Sequence, residues 1–148
     1  MSVHIRSVSQ HELPSLISLY EHLHSTDAPL PDEAILQGIW RDLLNDPKIH
    51  YLVADLEGQL VGSCILVIIP NLTRGARPYG LIENVVTHAA HRRKGIGTQL
   101  LHHALQTAWD NNCYKVMLST SSPQQEVHQF YEQGGFKKGI KTGFVALP

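Results

Sequence analysis

The sequence predicts a single three-layer α/β domain over residues 1–148, a mixed sheet flanked by helices. Two observations predict it. Period-two apolar segments and helical-period segments interleave in the order strand, two helices, two strands, strand, helix, strand, helix, terminal strands, and such an order stacks helices on a sheet. The chain also has 148 residues, 43% hydrophobic and 17% charged, enough to bury one sizeable core and too apolar for a disordered chain.

Val3 to Val8 alternates as a strand does. Ser9-Gln10-His11-Glu12 has the form of a capping box, with Ser9 and Glu12 meeting free backbone donors at a helix start. Leu13, Leu16, Ile17, Tyr20 and Leu23 follow at helical spacing, and Pro14 falls in the first turn, where its missing N–H matters least. After Pro29 and Pro31, a second helix is expected from Asp32 to Asn45, with Ile35, Leu36, Ile39, Leu43 and Leu44 as its apolar face and Asp46-Pro47 ending it. Ile49 to Leu56 and Leu60 to Ile69 form a strand hairpin around Glu57-Gly58-Gln59. An irregular stretch from Pro70 to Gly80 precedes a strand from Leu81 to Thr87. A helix from Gly97 to about Asn111 turns Leu100, Leu101, Ala104, Leu105, Ala108 and Trp109 inward. Lys115 to Ser119 is a short strand, Pro123 opens a last helix that runs through Gln133, and Phe136 onward reads as one or two final strands.

Bulk properties exclude several classes. A formal net charge of -1 and a pI near 6.8 give no electrostatic reason to expect nucleic acid or a membrane surface as partner. The N-terminus lacks a secretion signal, and the longest apolar run, Leu60 to Ile69, is too short to span a bilayer, so a soluble cytoplasmic protein is expected. Cys64 and Cys113 are too far apart in sequence and too few for a disulfide framework or a zinc site. The ten histidines are scattered, with no HxxxH or HExxH pattern, and no metal is expected.

The segment from Glu83 to Leu101, ENVVTHAAHRRKGIGTQLL, carries the chemistry. A strand ends near Thr87, and a basic, glycine-containing turn leads into a helix. Helix starts present unpaired N–H groups and partial positive charge. Gly95 and Gly97 keep side chains from blocking the backbone, while Arg92, Arg93 and Lys94 add charge, so the segment suits a pyrophosphate. A P-loop is excluded because the lysine precedes the glycines. A dinucleotide fingerprint fits poorly because Leu100 stands where its third glycine belongs.

Arg92-Arg93-Lys94-Gly95-Ile96-Gly97 matches the [Q/R]-x-x-G-x-[G/A] loop, and Phe130-Tyr131-Glu132-Gln133-Gly134-Gly135-Phe136 matches the FYxxxGF segment, of the GNAT superfamily of N-acetyltransferases. On these two motifs the chain resembles that family from about Tyr51 to Phe136, and in element order before it. The resemblance implies the three-layer GNAT-like fold, with a mixed, mostly antiparallel, twisted sheet. It implies acetyl-CoA as acetyl donor, its pantetheine arm along Val85, Val86 and Thr87 and its pyrophosphate against Arg92, Arg93, Lys94, Gly95, Ile96, Gly97 and Thr98. A backbone N–H near Val86 would polarise the thioester carbonyl, and Leu118-Ser119-Thr120 would be the facing strand edge.

Tyr131 stands where the family often has its general acid, the donor of a proton to the departing thiolate; the alternative is an aromatic packed on its helix. Glu83, placed by alternation on the side of Val85 and Thr87 and away from Asn84, is the candidate base for the amine, or else a structural carboxylate paired with Arg74 or Arg77. His88 is an outside candidate for that base, and Gln124 stands where many family members carry Asn.

The acceptor pocket would draw on Leu23 to Trp40, on Asn71 to Tyr79 and on the end of the chain, with Arg74, Arg77, Trp40 and Tyr79 available. A small-molecule primary amine is expected, anionic if the arginines hold a carboxylate or phosphate. A catalytically silent acetyl-CoA-binding domain of the same fold is the competing reading. A homodimer is a further expectation, with Gly143 to Leu147 pairing across its interface.

Overall fold

The computed structural model describes residues 2–148. Its strands are β1 (His4–Ser7), β2 (Ile49–Leu56), β3 (Gln59–Ile69), β4 (Tyr79–Thr87) and β5 (Val116–Met117). Its helices are α1 (Leu13–Tyr20), α2 (Glu33–Asn45), the four-residue turn α3 (Thr73–Ala76), α4 (Ile96–Asp110) and α5 (Gln125–Gln133). The sheet order is β1-β2-β3-β4-β5. The first three pairings are antiparallel, and β4 pairs β5 in parallel because α4 carries the chain back between them.

Two apolar clusters make the three layers. Leu100, Leu101, Ala104 and Ala108 of α4 pack with Leu52, Val61, Cys64, Leu66 and Ile82 of the sheet. Leu13 and Leu16 of α1 and Trp40 of α2 form the second cluster, with Tyr51 against it. Leu52 and Tyr51 are adjacent on β2, so alternation sends them to opposite clusters. Most of β3 is buried, as befits a strand covered from both sides.

The β2–β3 hairpin closes on Glu57 (φ 52°) and Gly58 (φ 92°), with Leu56 opposite Gln59, a two-residue turn of the kind whose twist suits strands. Glu12 accepts from the Ser9 backbone N–H at 2.7 Å in the expected capping box of Ser9 and Glu12, which sits on the 3-10 turn Gln10–Glu12 ahead of α1. Glu12 also takes Arg6 Nη2 at 2.6 Å, and the same guanidinium reaches Asp55 at 2.9 Å, tying β1, β2 and the helix start together.

Four expectations are corrected. On α2, Ile35 and Ile39 are 57% and 47% exposed, and Trp40 is the buried residue at 2%. Its indole meets Tyr51 edge-on at 5.3 Å and donates to the Gln10 carbonyl at 2.9 Å. At about 100° per residue, Leu36, Leu43 and Leu44 fall within about 60° of Trp40, whereas Ile39 and Ile35 fall about 100° and 140° away. The same geometry puts Trp109 of α4 about 140° from the buried Ala104 and leaves it exposed. Pro123 does not open α5, which begins at Gln125 with Gln124 as its N-cap. No strand forms after α5. The stretch after Gln133 pairs with no strand of the sheet, and Phe144, Val145 and Leu147 stand 92%, 86% and 84% exposed.

Candidate active site

One extra residue in β4 builds the cleft. Ile65 lies opposite Glu83 and Ser63 opposite Val86, so Cys64 alone on β3 faces two residues, Asn84 and Val85, on β4. Asn84 takes φ 51° there, a left-handed conformation that asparagine tolerates better than most side chains. The bulge ends strict alternation. Glu83, Asn84 and Val85 all border one cleft, and the Asn84 side chain lies beside the Tyr20 hydroxyl. On the far side, β4 and β5 pair only at Gly80–Val116 and Leu81–Met117 and then part. The opening between them is lined by Ile82 to Val85, by Leu118 to Ser121, by Tyr131 of α5, and by Leu23 and His24 from the segment after α1.

Tyr131 and Glu83, named separately from sequence, therefore share this cleft. Burial pushes the Tyr131 phenol above its ordinary value, and Cys64 and the Glu83 carboxylate push it the same way. The phenol keeps its proton at neutral pH and is a donor. Among the described residues Glu83 forms no ion pair, so the alternative pairing with Arg74 or Arg77 is absent. The Tyr20 hydroxyl is buried, with the Asn84 side chain beside it but no well-formed hydrogen bond among the described residues. Burial raises its pKa, Tyr51 and Cys64 add to the rise, and Asn84 opposes it.

The donor-loop residues lie beyond the bulge. Val85 and Val86 continue β4 to Thr87, and a 3-10 turn, Ala89–His91, follows with His88 as its cap. Arg92, Arg93 and Lys94 are exposed, Arg93 has φ 62°, and Gly95 heads α4 with φ 80°. The first hydrogen bond there runs from Gln99 N to the Gly95 carbonyl at 3.1 Å, so the N–H groups ahead of it have no partner inside the helix. A Cβ at Gly95 would meet nothing within 4 Å, which leaves the backbone open to an anion. Gly97 is different. A Cβ there would lie 2.8 Å from Phe130 Cζ, so its bareness serves the packing of α5 on α4. Arg92 has its Nε on the Thr87 carbonyl at 3.2 Å and Nη2 on the His22 carbonyl at 2.9 Å. Thr98 follows in the first turn of α4.

The acceptor candidates are less well served. Trp40 is buried in the second cluster. Arg77 donates to the carbonyls of Asn112 and Cys113 at 3.2 and 3.1 Å, and Arg74 lies 6.0 Å from the Tyr114 ring centroid. Tyr79 packs edge-on to Tyr114 at 6.2 Å. None of the four lines the cleft. Leu23 and His24, which carry no motif of their own, open the stretch from Leu23 to Trp40 expected to contribute to the acceptor pocket. Sequence reasoning missed the bulge at Asn84, for which an asparagine inside an apolar strand was the available signal. His88 caps the 3-10 turn by accepting from Ala90 N at 3.1 Å. The Gln124 backbone N–H donates to Ser122 Oγ at 3.3 Å. A separate shallow hollow near Gln10, His11 and Gln37 lies away from these groups. Among the described residues no group of three or more histidine, cysteine or carboxylate side chains is placed to hold a metal ion, and no helix is long and apolar enough to cross a membrane.

Known proteins resemble the chain over nearly its whole length. The model of the Acetyltransferase (GNAT) family matches residues 13–136. A glucosamine 6-phosphate N-acetyltransferase of Trypanosoma brucei brucei is 32% identical over 139 residues, 93% of this chain and 90% of that protein. An aminoalkylphosphonate N-acetyltransferase of Salmonella typhimurium is 32% identical over 106 residues, 72% and 68% of the two chains. A solved structure from Agrobacterium tumefaciens is 41% identical and superposes with a TM-score of 0.91 over 98% of this chain and 99% of its own. The chain belongs to the GNAT acetyltransferase family and is an acyltransferase of the N-acetyltransferase type.

Proposed function

We propose that this GNAT enzyme moves the acetyl group of acetyl-CoA to the primary amine of a small molecule, in the cytoplasm, by direct attack in a ternary complex. The observation that carries the reading is the parting of β4 from β5 beside an open, Gly95-headed helix start, with Tyr131 and Glu83 on one cleft. The pantetheine arm lies along the free side of Val85, Val86 and Thr87, where unpaired backbone accepts an added strand. The pyrophosphate sits on the loop from Arg92 to Thr98. Because the Arg92 guanidinium already holds two carbonyls, the backbone N–H groups from Gly95 to Thr98 and the charges of Arg93 and Lys94 do most of this work.

The amine nitrogen attacks the thioester carbonyl carbon, forming C–N and then breaking C–S. The developing oxyanion meets a backbone N–H near Val86. Glu83, directly or through one water, takes the amine proton, and Tyr131 gives its proton to the coenzyme A thiolate. Two relatives act on amines that also bear a phosphoryl or phosphonyl group. We extend this to an anionic amine acceptor, although Arg74 and Arg77, the cations first considered for it, lie off the cleft. The exposed tail residues Phe144, Val145 and Leu147 support a homodimer in which they are covered.

A thiol-release assay with acetyl-CoA over a panel of phosphorylated and plain small amines tests the reading. Turnover on at least one panel member is expected. Stabilisation by acetyl-CoA without thiol release on any amine would instead establish a silent binding domain, and no stabilisation at near-millimolar acetyl-CoA would overturn the cofactor assignment. Light scattering on the full chain and on one ending at Lys137 tests the dimer, and two monomers would refute it.

A further inference from the structure

The segment after α1 is fastened to the donor loop by groups that the proposed reaction leaves unused. Ala89 N donates to His22 Nδ1 at 3.2 Å, and Arg92 Nη2 donates to the His22 carbonyl at 2.9 Å. The His22 ring lies 4.0 Å from that of His88, whose own Nδ1 accepts from Ala90 N at 3.1 Å, and His91 lies 5.3 Å beyond. The next two residues of the fastened segment, Leu23 and His24, line the cleft. Donor loop and acceptor rim are thus one joined unit.

Both imidazoles accept through Nδ1, which requires a lone pair there and so the neutral ring with its proton on Nε2. A protonated ring loses its bond from the backbone and sets a cation against its neighbour. We propose that His22 is a positioning residue that locks the acceptor rim, Leu23 and His24, to the acetyl-CoA loop, and that the lock holds only while the His22 and His88 rings are neutral. This rests on the proposed reading of the loop as the acetyl-CoA site.

His88 and Arg92 face His22 across the contact, with His91 behind His88; Glu21 and His24 lie near it on its own segment. Burial first, then His22, His91 and Arg92, hold the His88 pKa below its ordinary value. A folded-state pKa below the unfolded one means that the neutral ring stabilises the fold above about pH 6.5, and that this contribution is lost as pH falls below it.

The test compares wild type with His22→Asn, whose side-chain oxygen accepts a hydrogen bond but does not titrate, and His22→Ala. Protection of the Ala89 amide, its exchange rate relative to the intrinsic rate at each pH, is expected on the enzyme without acetyl-CoA to be high in wild type at pH 7.5, lower at pH 5.5, low at both in His22→Ala and high at both in His22→Asn. With an amine accepted in the panel, KM for the amine is expected to rise about three- to tenfold in His22→Ala, the size of one lost hydrogen bond, while kcat and acetyl-CoA affinity hold. The wild-type to His22→Asn ratio of KM, which cancels the acceptor's own ionisation, should rise by a similar factor between pH 7.5 and 5.5. Equal Ala89 exchange in wild type and His22→Ala, or a flat KM ratio, overturns the proposal. Protected Ala89 with no turnover on any amine leaves the lock standing and removes the catalytic reading, so the two failures are distinguishable.

Discussion

Replacing Gly97 with alanine separates packing from phosphate contact in the donor loop. The added Cβ would lie 2.8 Å from Phe130 Cζ, 2.9 Å from Cε1 and 3.5 Å from Thr87 Oγ1. Carbon atoms rest at about 3.5–4.0 Å, so the ring must retreat by about 0.7–1 Å. It has little room, because Phe130 packs on the main core and its ring lies 4.9 Å from that of Tyr131. Overpacking of this kind costs about 1–3 kcal/mol, offset by up to about 1 kcal/mol from the better helix propensity of alanine, for a net loss of about 1–2 kcal/mol. At about 2–4 °C per kcal/mol for a chain of this size, Tm falls by about 2–8 °C. The displaced Phe130 drags Tyr131, so kcat drops while acetyl-CoA affinity stays within about twofold, the size of a few tenths of a kcal/mol. Gly95→Ala should behave in the opposite way. Its Cβ meets nothing, its φ of 80° costs about 1–2 kcal/mol, and its methyl shields the open backbone, so acetyl-CoA affinity falls. The assay is thermal denaturation with and without acetyl-CoA, then steady-state kinetics. Adding Phe130→Leu, which lacks Cζ and Cε1, should recover part of the Tm lost in Gly97→Ala. An unchanged Tm with weaker acetyl-CoA binding in Gly97→Ala would refute the reasoning, since phosphate contact would then explain the glycine.

Tyr131→Phe should lower kcat at least about a hundredfold with Tm little changed; because burial, Cys64 and Glu83 raise the phenol's pKa, wild-type kcat should persist on the alkaline side past pH 10, and a pH-rate profile checks both. Glu12 is held at about 2, chiefly by its hydrogen bond from Arg6, so its contribution to stability is complete above about pH 4.5 and lost as pH falls through about 2. Glu12→Gln should therefore lose about 1–3 kcal/mol at pH 7 and little near pH 2, measured by urea unfolding at both. Trp40→Ala should cost about 3–5 kcal/mol, whereas Ile39→Ala, about a quarter of a turn from Trp40 and 47% exposed, should stay within about 1 kcal/mol in the same assay.

Much of this was legible because the local signals were strong and independent. Strand alternation and helical spacing placed β2, β3, β4 and α4 within a residue or two, and the donor loop announced itself through glycines and cations beside a helix start. What stayed hidden depends on three-dimensional partners. The apolar face of α2 was assigned by counting aliphatic residues, but Trp40 outweighs Ile35 and Ile39 once Tyr51 and the Gln10 carbonyl are there to receive it. The ring that fills the space beside Gly97 lies thirty-three residues later, so the packing role of this glycine was hidden. Nothing in sequence reveals that the Arg92 guanidinium also holds the His22 carbonyl. Arg74 and Arg77 were attractive for their charge, yet an arginine offers five donors, and Arg77 spends its own on the backbone between α4 and β5. The terminal strands were read from apolar residues alone, and a strand also needs a paired partner, which that stretch lacks.

The bulge at Asn84 joins these separate matters. Regular pairing of β4 with β3 would put Glu83 and Asn84 on opposite faces and make Asn84 share the inward face of Ile82 and Val86. One extra residue removes that conflict. It keeps Ile82 and Val86 buried, leaves Glu83, Asn84 and Val85 bordering the opening, and bends β4 just past the two rungs it shares with β5. The bulge thus puts Glu83, the proposed base, on the cleft that Tyr131, the proposed acid, lines from α5. A family pattern written on side chains passes over Asn84, whose left-handed φ makes that bulge.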